Sequence, residues 1–123
     1  MRLFPAMLLI AAVTPLIAQD PVDARGWINR GVTEFKSGNY TQAVADFQRA
    51  VQSDPSNVNA HLYLGTAWMQ QYIPGAESPE NRVAAAAANR EFLKVLELDH
   101  GNQTAMSSLA SLEIGRASCR ERV

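Results

Sequence analysis

Cysteine is nearly absent: the 123 residues hold one, Cys119. A single thiol closes no internal disulfide and builds no cysteine metal site. Histidine is almost as scarce. His61 and His100 stand 39 residues apart, and neither has an acid or a second histidine at i+3 or i+4. The spacing that sets two ligands on one helix face is therefore missing, and the expectation is a packed His61, a solvated His100 and no metal. The seven glycines form no phosphate-cradling loop and no nucleophile elbow. Asp20 and Asp23 lie in a leader segment and are not an acid/base pair. No catalytic residue and no cofactor are expected. An excess of one charge is also lacking, since the whole chain carries −1. Residues 19–113 hold 11 acids and 7 bases, or −4. The balance comes from Arg2 and from Arg116, Arg120 and Arg122 set against Glu121. A mildly acidic segment argues against a nucleic-acid partner.

No apolar run is long enough to span a bilayer, which takes roughly 20 apolar residues in a helix. The stretch from Leu3 to Val13 is shorter, and Pro5 and Pro15 interrupt its surroundings. With Arg2 before it and Thr14-Pro15-Leu16-Ile17-Ala18 after it, residues 1–18 read as a secretory signal peptide cut after Ala18. Residues 19–23 then form a flexible leader. The expected location is the periplasm or the exterior of a bacterium, with no integral span after cleavage. The alternative is an inner-membrane anchor formed by an uncleaved amino terminus. No cysteine follows the cut, so a lipid anchor is not expected.

Residues 24–57 show the periodicity of two amphipathic helices. Trp27, Ile28, Gly31, Val32 and Phe35 recur at three- and four-residue spacing, and Ala43, Val44, Phe47, Ala50 and Val51 form a second stripe. Ser37-Gly38-Asn39 separates them, with Gly38 or Asn39 suited to a positive-φ helix end. Pro55 stops the second helix by disfavouring helical geometry at Asp54. These residues resemble the tetratricopeptide repeat (TPR) family: Trp27, Gly31, the Gly38-Asn39-Tyr40 turn, Ala43, Phe47, Ala50 and Pro55 fall on its signature positions. Arg30 stands where that family usually has leucine, which suggests an exposed first repeat with no preceding neighbour. Small residues at Gly31 and Ala43 allow close helix approach, with Phe47 and Trp27 filling the space beside them.

A second repeat follows over 58–102, in which His61, Leu64, Gly65 and Trp68 repeat the first helix 34 residues on. Ala88 and Phe92, however, stand 45 residues after Ala43 and Phe47, so 11 residues have entered. The insertion reads as a loop at about 72–78, marked by Pro74-Gly75, and an extended second helix over 79–98. Ser78, Pro79 and Glu80 have the composition of a helix start. The five alanines at 84–88 fit high helix propensity, or close packing against a partner helix. Asn39-Tyr40-Thr41 and Asn102-Gln103-Thr104 match the glycosylation acceptor pattern and are read in preference as turn and cap residues.

Residues 103–113 begin a third repeat with Met106, Leu109 and Ala110, truncated after its first helix. The remaining ten, Ile-Gly-Arg-Ala-Ser-Cys-Arg-Glu-Arg-Val, read as a non-native tail. They resemble a translated sequencing adapter, ATC GGA AGA GCG TCG TGT AGG GAA AGA GTG, whose next codon is a stop. A basic tail touching phosphates and a reactive thiol among arginines are weaker readings.

The fold expected is all-α: antiparallel TPR-type helix pairs in a short right-handed superhelical solenoid. The resemblance implies a non-catalytic scaffold or adaptor that binds a peptide or helix through the groove lined by the first helices of its repeats. Carried over by position, that groove comprises Arg25, Ile28, Asn29, Val32, Phe35 and Lys36, then Asn59, Leu62, Tyr63, Thr66, Met69 and Gln70. Ile28 and Val32 stand where a carboxylate clamp would begin, so a clamp is not expected. Ile28 and Leu62 have packing between helices as an equal alternative. The rival functional reading is the amino-terminal repeat region of a larger envelope enzyme, and a third is self-association through the apolar side that a cut solenoid exposes. Resequencing the gene across codon 113 is expected to replace the adapter-like codons with a different reading frame; recovery of the same ten codons from an independent amplification would overturn the tail reading.

Overall fold

The computed structural model describes residues 23–120, with side chains as far as residue 117. The expected signal peptide and most of the expected leader lie outside the described residues. Five helices follow one another: α1 (Ala24–Lys36), α2 (Tyr40–Ser53), α3 (Val58–Gln71), α4 (Pro79–Leu98) and α5 (Gln103–Arg120). Each packs on the next, and α1 also touches α3. The result is an all-α stack of helices, as expected for a short helical solenoid. Among the described residues no helix is long and apolar enough to cross a membrane.

Short polar side chains start four of the helices. Asp23 Oδ1 accepts from the Gly26 amide at 2.7 Å, Asn57 Oδ1 from Ala60 at 3.0 Å, Ser78 Oγ from Asn81 at 3.1 Å and Asn102 Oδ1 from Ala105 at 3.0 Å. Each bond satisfies one of the amides that a helix leaves unpaired at its beginning. Pro79 adds a fixed helical φ at the first position of α4. The turn between α1 and α2 depends on Gly38, whose φ of +80° is costly for a residue with a Cβ. Of the two asparagines in the acceptor patterns, Asn102 caps α5, whereas Asn39 donates its side-chain amide to the Glu34 carboxylate at 2.8 Å.

Three apolar clusters run along the stack. Trp27 packs with Ala24, Ala50 and Ala60 at one end. Phe47 sits with Ala43, Val44, Leu64 and Ala67 in the middle. Phe92 gathers Ala88, Val95, Ala105 and Leu112 at the far end. Val51 packs against the first two and Trp68 against the last two, so the core is continuous across the repeats. The alanine run belongs to this core, since Ala84, Ala87 and Ala88 are buried.

Two glycines set the distance between paired helices. A Cβ on Gly31 would lie 2.5 Å from Phe47 Cε1, and one on Gly65 would lie 2.9 Å from Phe92 Cε1. Both phenylalanines are essentially without exposure. The glycines therefore serve as seats for aromatic rings, 34 residues apart in sequence.

One sequence expectation needs correction. The first helix of the third repeat does not stop at Glu113: α5 runs unbroken to Arg120. Gly115 is the sole weak helix former in that stretch, and Arg116 pairs with Glu113 one turn back at 3.3 Å, so local propensity carries the helix across the expected boundary. Arg30, on the first helix, is half-buried. Its guanidinium bonds Asp46 and lies 4.6 Å from the Trp27 ring centroid.

Gly31→Ala is expected to lower stability by about 1–3 kcal/mol, the usual cost of overpacking, less the gain in helix propensity. Gly65→Ala should cost less, because its ring contacts are looser. Urea midpoints of the two variants check this order, and equal or raised midpoints would contradict the seating of the rings.

Candidate functional site

The twelve residues expected to line a groove lie on α1 and α3, which touch in the stack. They divide into two kinds. Arg25, Asn29, Lys36, Asn59, Tyr63 and Gln70 are exposed, whereas Ile28, Val32, Phe35, Leu62, Thr66 and Met69 are half-buried. All five apolar members of the second group also serve the core. Ile28 packs against the Trp27 cluster, Val32 and Phe35 against the Phe47 cluster, and Leu62 and Met69 against the Phe92 cluster. Phe35 meets Tyr40 edge-on at 5.2 Å between ring centroids. Thr66 donates its hydroxyl to the Leu62 carbonyl at 2.8 Å. What this face offers a partner is thus a row of amide, cationic and phenolic groups above an apolar layer that is already partly occupied.

Tyr63 is the aromatic group of the face. It is 41% exposed, and its ring stacks on Phe47 at 5.4 Å with an interplanar angle of 15°. Because Phe47 is clamped on Gly31, the phenol is held by the first repeat although α3 carries it. Such a preorganised amphipathic side chain loses little conformational freedom on contact with a partner.

Three buried polar groups hold the frame. Asp46 is fully buried and accepts from Arg30 Nε at 3.0 Å, from the Arg30 Nη2 at 2.7 Å and from Gln42 at 3.3 Å. Arg30 and Arg49 lie on the Trp27 ring at 4.6 and 4.8 Å, which adds cation–π attraction to the ion pair. In the second repeat His61 occupies the position of Trp27 and is 5% exposed. Its Nε2 lies 2.7 Å from the Pro55 carbonyl, which can only accept, so this nitrogen carries a hydrogen. Its Nδ1 faces Glu91 Oε2 at 2.7 Å, and Glu91 Oε1 accepts from Arg90 at 3.2 Å. The expected packed His61 is therefore a hydrogen-bonded link between α3, α4 and the turn before α3. His100 is exposed. Among the described residues no group of His, Cys, Asp and Glu could hold a metal ion.

The third buried group is Asn81. Its Oδ1 accepts from the Ile73 amide at 2.6 Å, and its Nδ2 donates to the carbonyls of Ile73 at 2.8 Å and Ala76 at 2.7 Å. One side chain thus organises the loop between α3 and α4. Sequence reasoning singled out none of Asp46, Glu91 and Asn81. Asp46 is 16 residues from Arg30 and Glu91 is 30 from His61, separations with no local signature. Asn81, by contrast, falls three residues after the capping Ser78, close enough to the loop to have been weighed.

With this geometry in place, comparison with known sequences supports a class. A family model described as TPR repeat matches residues 31–71, from the middle of α1 to the end of α3. Together with the fold, the match supports a TPR protein. Superkiller complex protein 3 of Mus musculus is 30% identical over 94 residues, covering 75% of this chain and 5% of that protein. Protein SGT1 homolog of Oryza sativa subsp. japonica is 30% identical over 86 residues, 68% of this chain and 23% of that protein. DnaJ homolog subfamily C member 7 of Homo sapiens is 34% identical over 92 residues, 75% of this chain and 16% of that protein. The chain therefore spans less than a quarter of the length of each of these relatives. TPR repeats suggest a protein–protein interaction scaffold.

The Arg30–Asp46 pair yields an asymmetric expectation. Arg30→Ala leaves a fully buried carboxylate with only Gln42 and should cost about 3 kcal/mol, whereas Asp46→Ala leaves a guanidinium that reaches water and should cost nearer 1 kcal/mol. Chemical denaturation of both variants and of Arg30→Leu with Asp46→Ala checks this. The apolar double variant should recover much of the loss, and an Asp46→Ala more damaging than Arg30→Ala would refute the account.

Proposed function

We propose that the chain is a non-catalytic scaffold or adaptor that binds a peptide or helix of a partner protein across α1 and α3. The observation that carries this reading is the row of exposed amide, cationic and phenolic groups from Arg25 to Gln70, set on a frame whose aromatic centre, Phe47, joins both repeats. Exposed side chains on rigid, adjacent helices contribute contact surface without a large ordering cost. The TPR match supports the same class of function. Export guided by residues 1–18 completes the proposal and places the partner in the cell envelope.

Photocrosslinking tests the face directly. A benzophenone side chain placed at Asn29, Asn59 or Gln70 in the full chain should trap one common partner. The same probe at Gln48 or Gln52, exposed on α2, should trap at least ten times less, the loss expected when the contact is absent. Adducts from the α2 positions alone would move the interface off this face. Mass analysis of the same preparation should find an amino terminus at Gln19 if residues 1–18 are removed as proposed.

A further inference from the structure

The α1/α3 face differs in charge from the rest of the molecule. Its twelve residues include two cations, Arg25 and Lys36, and no carboxylate, although residues 19–113 carry −4. Over its whole length α3 contributes no Asp, Glu, Lys or Arg. The residues 45 positions after Asn59, Leu62, Tyr63 and Thr66 are Thr104, Ser107, Ser108 and Ser111, so α5 continues the pattern with hydroxyls and again no acid. The described carboxylates stand elsewhere. Asp46 and Glu91 are buried against Arg30 and His61. Asp23 caps α1, Glu34 accepts from Asn39, and Glu113 pairs with Arg116. Asp54 ends α2, and Glu77, Glu80, Glu97 and Asp99 lie along α4 or beside its ends.

The polar groups of this face are also uncommitted. Arg25 and Lys36 are exposed, and neither side chain has an ion-pair or hydrogen-bond partner among the described residues. The side-chain amides of exposed Asn29, Asn59 and Gln70 are likewise unpaired among them. Each amide offers both a donor and an acceptor. That combination matches the free N–H and C=O groups of an extended chain. A helix bonds its own backbone groups internally, so it has little main chain to offer such amides.

Resting on the use of this face set out above, we propose that its partner is an extended, acidic segment bound in mid-chain. The main chain of the segment bonds the amides of Asn29, Asn59 and Gln70, and two of its side-chain carboxylates reach Arg25 and Lys36. Those cations are 11 residues apart on one helix, or about 16 Å at 1.5 Å per residue. In an extended chain every second side chain points the same way, and four residues span about 13 Å. Carboxylates at i and i+4 therefore match the two cations, whose flexible stems cover the remaining distance. The residue midway points to the same side and meets the half-buried Val32. A basic segment would find no carboxylate on this face to pair with.

The test is a titration of the full chain, labelled with nitrogen-15 in its side-chain amides, with N-acetyl-Asp-Thr-Val-Thr-Asp-amide. Two further peptides replace both aspartates with asparagine or with lysine. The aspartate peptide should shift the side-chain amides of Asn29 and Asn59 to saturation and leave Gln48 and Gln52 on α2 unchanged. The asparagine peptide should bind about three- to five-fold more weakly and the lysine peptide about ten-fold more weakly, the range of two exposed ion pairs lost or reversed. These differences should shrink at about 1 M salt, where charges are screened within about 3 Å. Arg25→Glu with Lys36→Glu, both at exposed positions, should invert the order of the aspartate and lysine peptides. Equal binding of the three peptides, or no shift up to the solubility limit, would overturn the proposal. So would an equal response to a stapled alanine helix bearing two aspartates, which would mark a helix as the occupant, or to pentathymidylate, which would mark a face for any anion. The crosslinking probes at Asn29, Asn59 and Gln70 separate the two readings. If they trap a partner while the peptides fail, the face binds a segment that is not acidic and extended; if the aspartate peptide shifts Gln48 and Gln52 instead, the face itself is wrong.

Discussion

The structure depends on one contact made twice: a phenylalanine ring lying on a glycine of the facing helix. Phe47 over Gly31 and Phe92 over Gly65 fix how closely the two helices of each repeat approach. Every other apolar contact follows from that distance. Ala43 and Ala88, fully buried, occupy space that a larger side chain would need. Ring, glycine and alanine form a close-packed set in which no member can grow without displacing another. Because Phe47 also stacks on Tyr63, the same ring that closes the first repeat joins it to the second.

Polar groups distinguish the two repeats where the apolar frame makes them alike. The first holds a carboxylate, Asp46, under a guanidinium that also rests on Trp27. The second replaces Trp27 with His61 and holds it between Glu91 and the Pro55 carbonyl. Buried ionisable pairs of this kind contribute little net stability compared with a well-packed apolar core, but either partner left alone is costly. Each repeat therefore tolerates its own pair and not half of the other's. The exposed side chains of α1 and α3 are displayed by helices held in place through these links.

Much of this was legible in the sequence because the packing of consecutive helices is local. The stripes of Trp27, Gly31 and Phe35 and of Ala43, Phe47 and Ala50 announce helix faces at a 3.6-residue period. Gly38, Ser78 and Pro79 mark ends through backbone geometry that few other residues supply. The pairing of Arg30 with Asp46 and of His61 with Glu91 was not legible, because the partners sit on different helices at separations set by turn lengths and by the 11-residue insertion. The candidate groove was legible only as a list of positions. Ile28, Val32, Phe35, Leu62 and Met69 follow the period of a helix face, but the period cannot say how much of each side chain the neighbouring helix already covers. The boundary at Glu113 was drawn from the origin of the residues, whereas helix formation responds only to their propensity.

The sequence by itself determined the helices, their order and the two glycine seats, since these follow from periodicity, capping chemistry and the absence of a Cβ. Tertiary structure alone decided which polar groups became buried partners and how the insertion folded around Asn81. The physical reason is distance. Helix formation and capping act within about one turn of chain, roughly four residues, whereas burial and the pairing of polar groups depend on which helices the close approach of ring and glycine brings together.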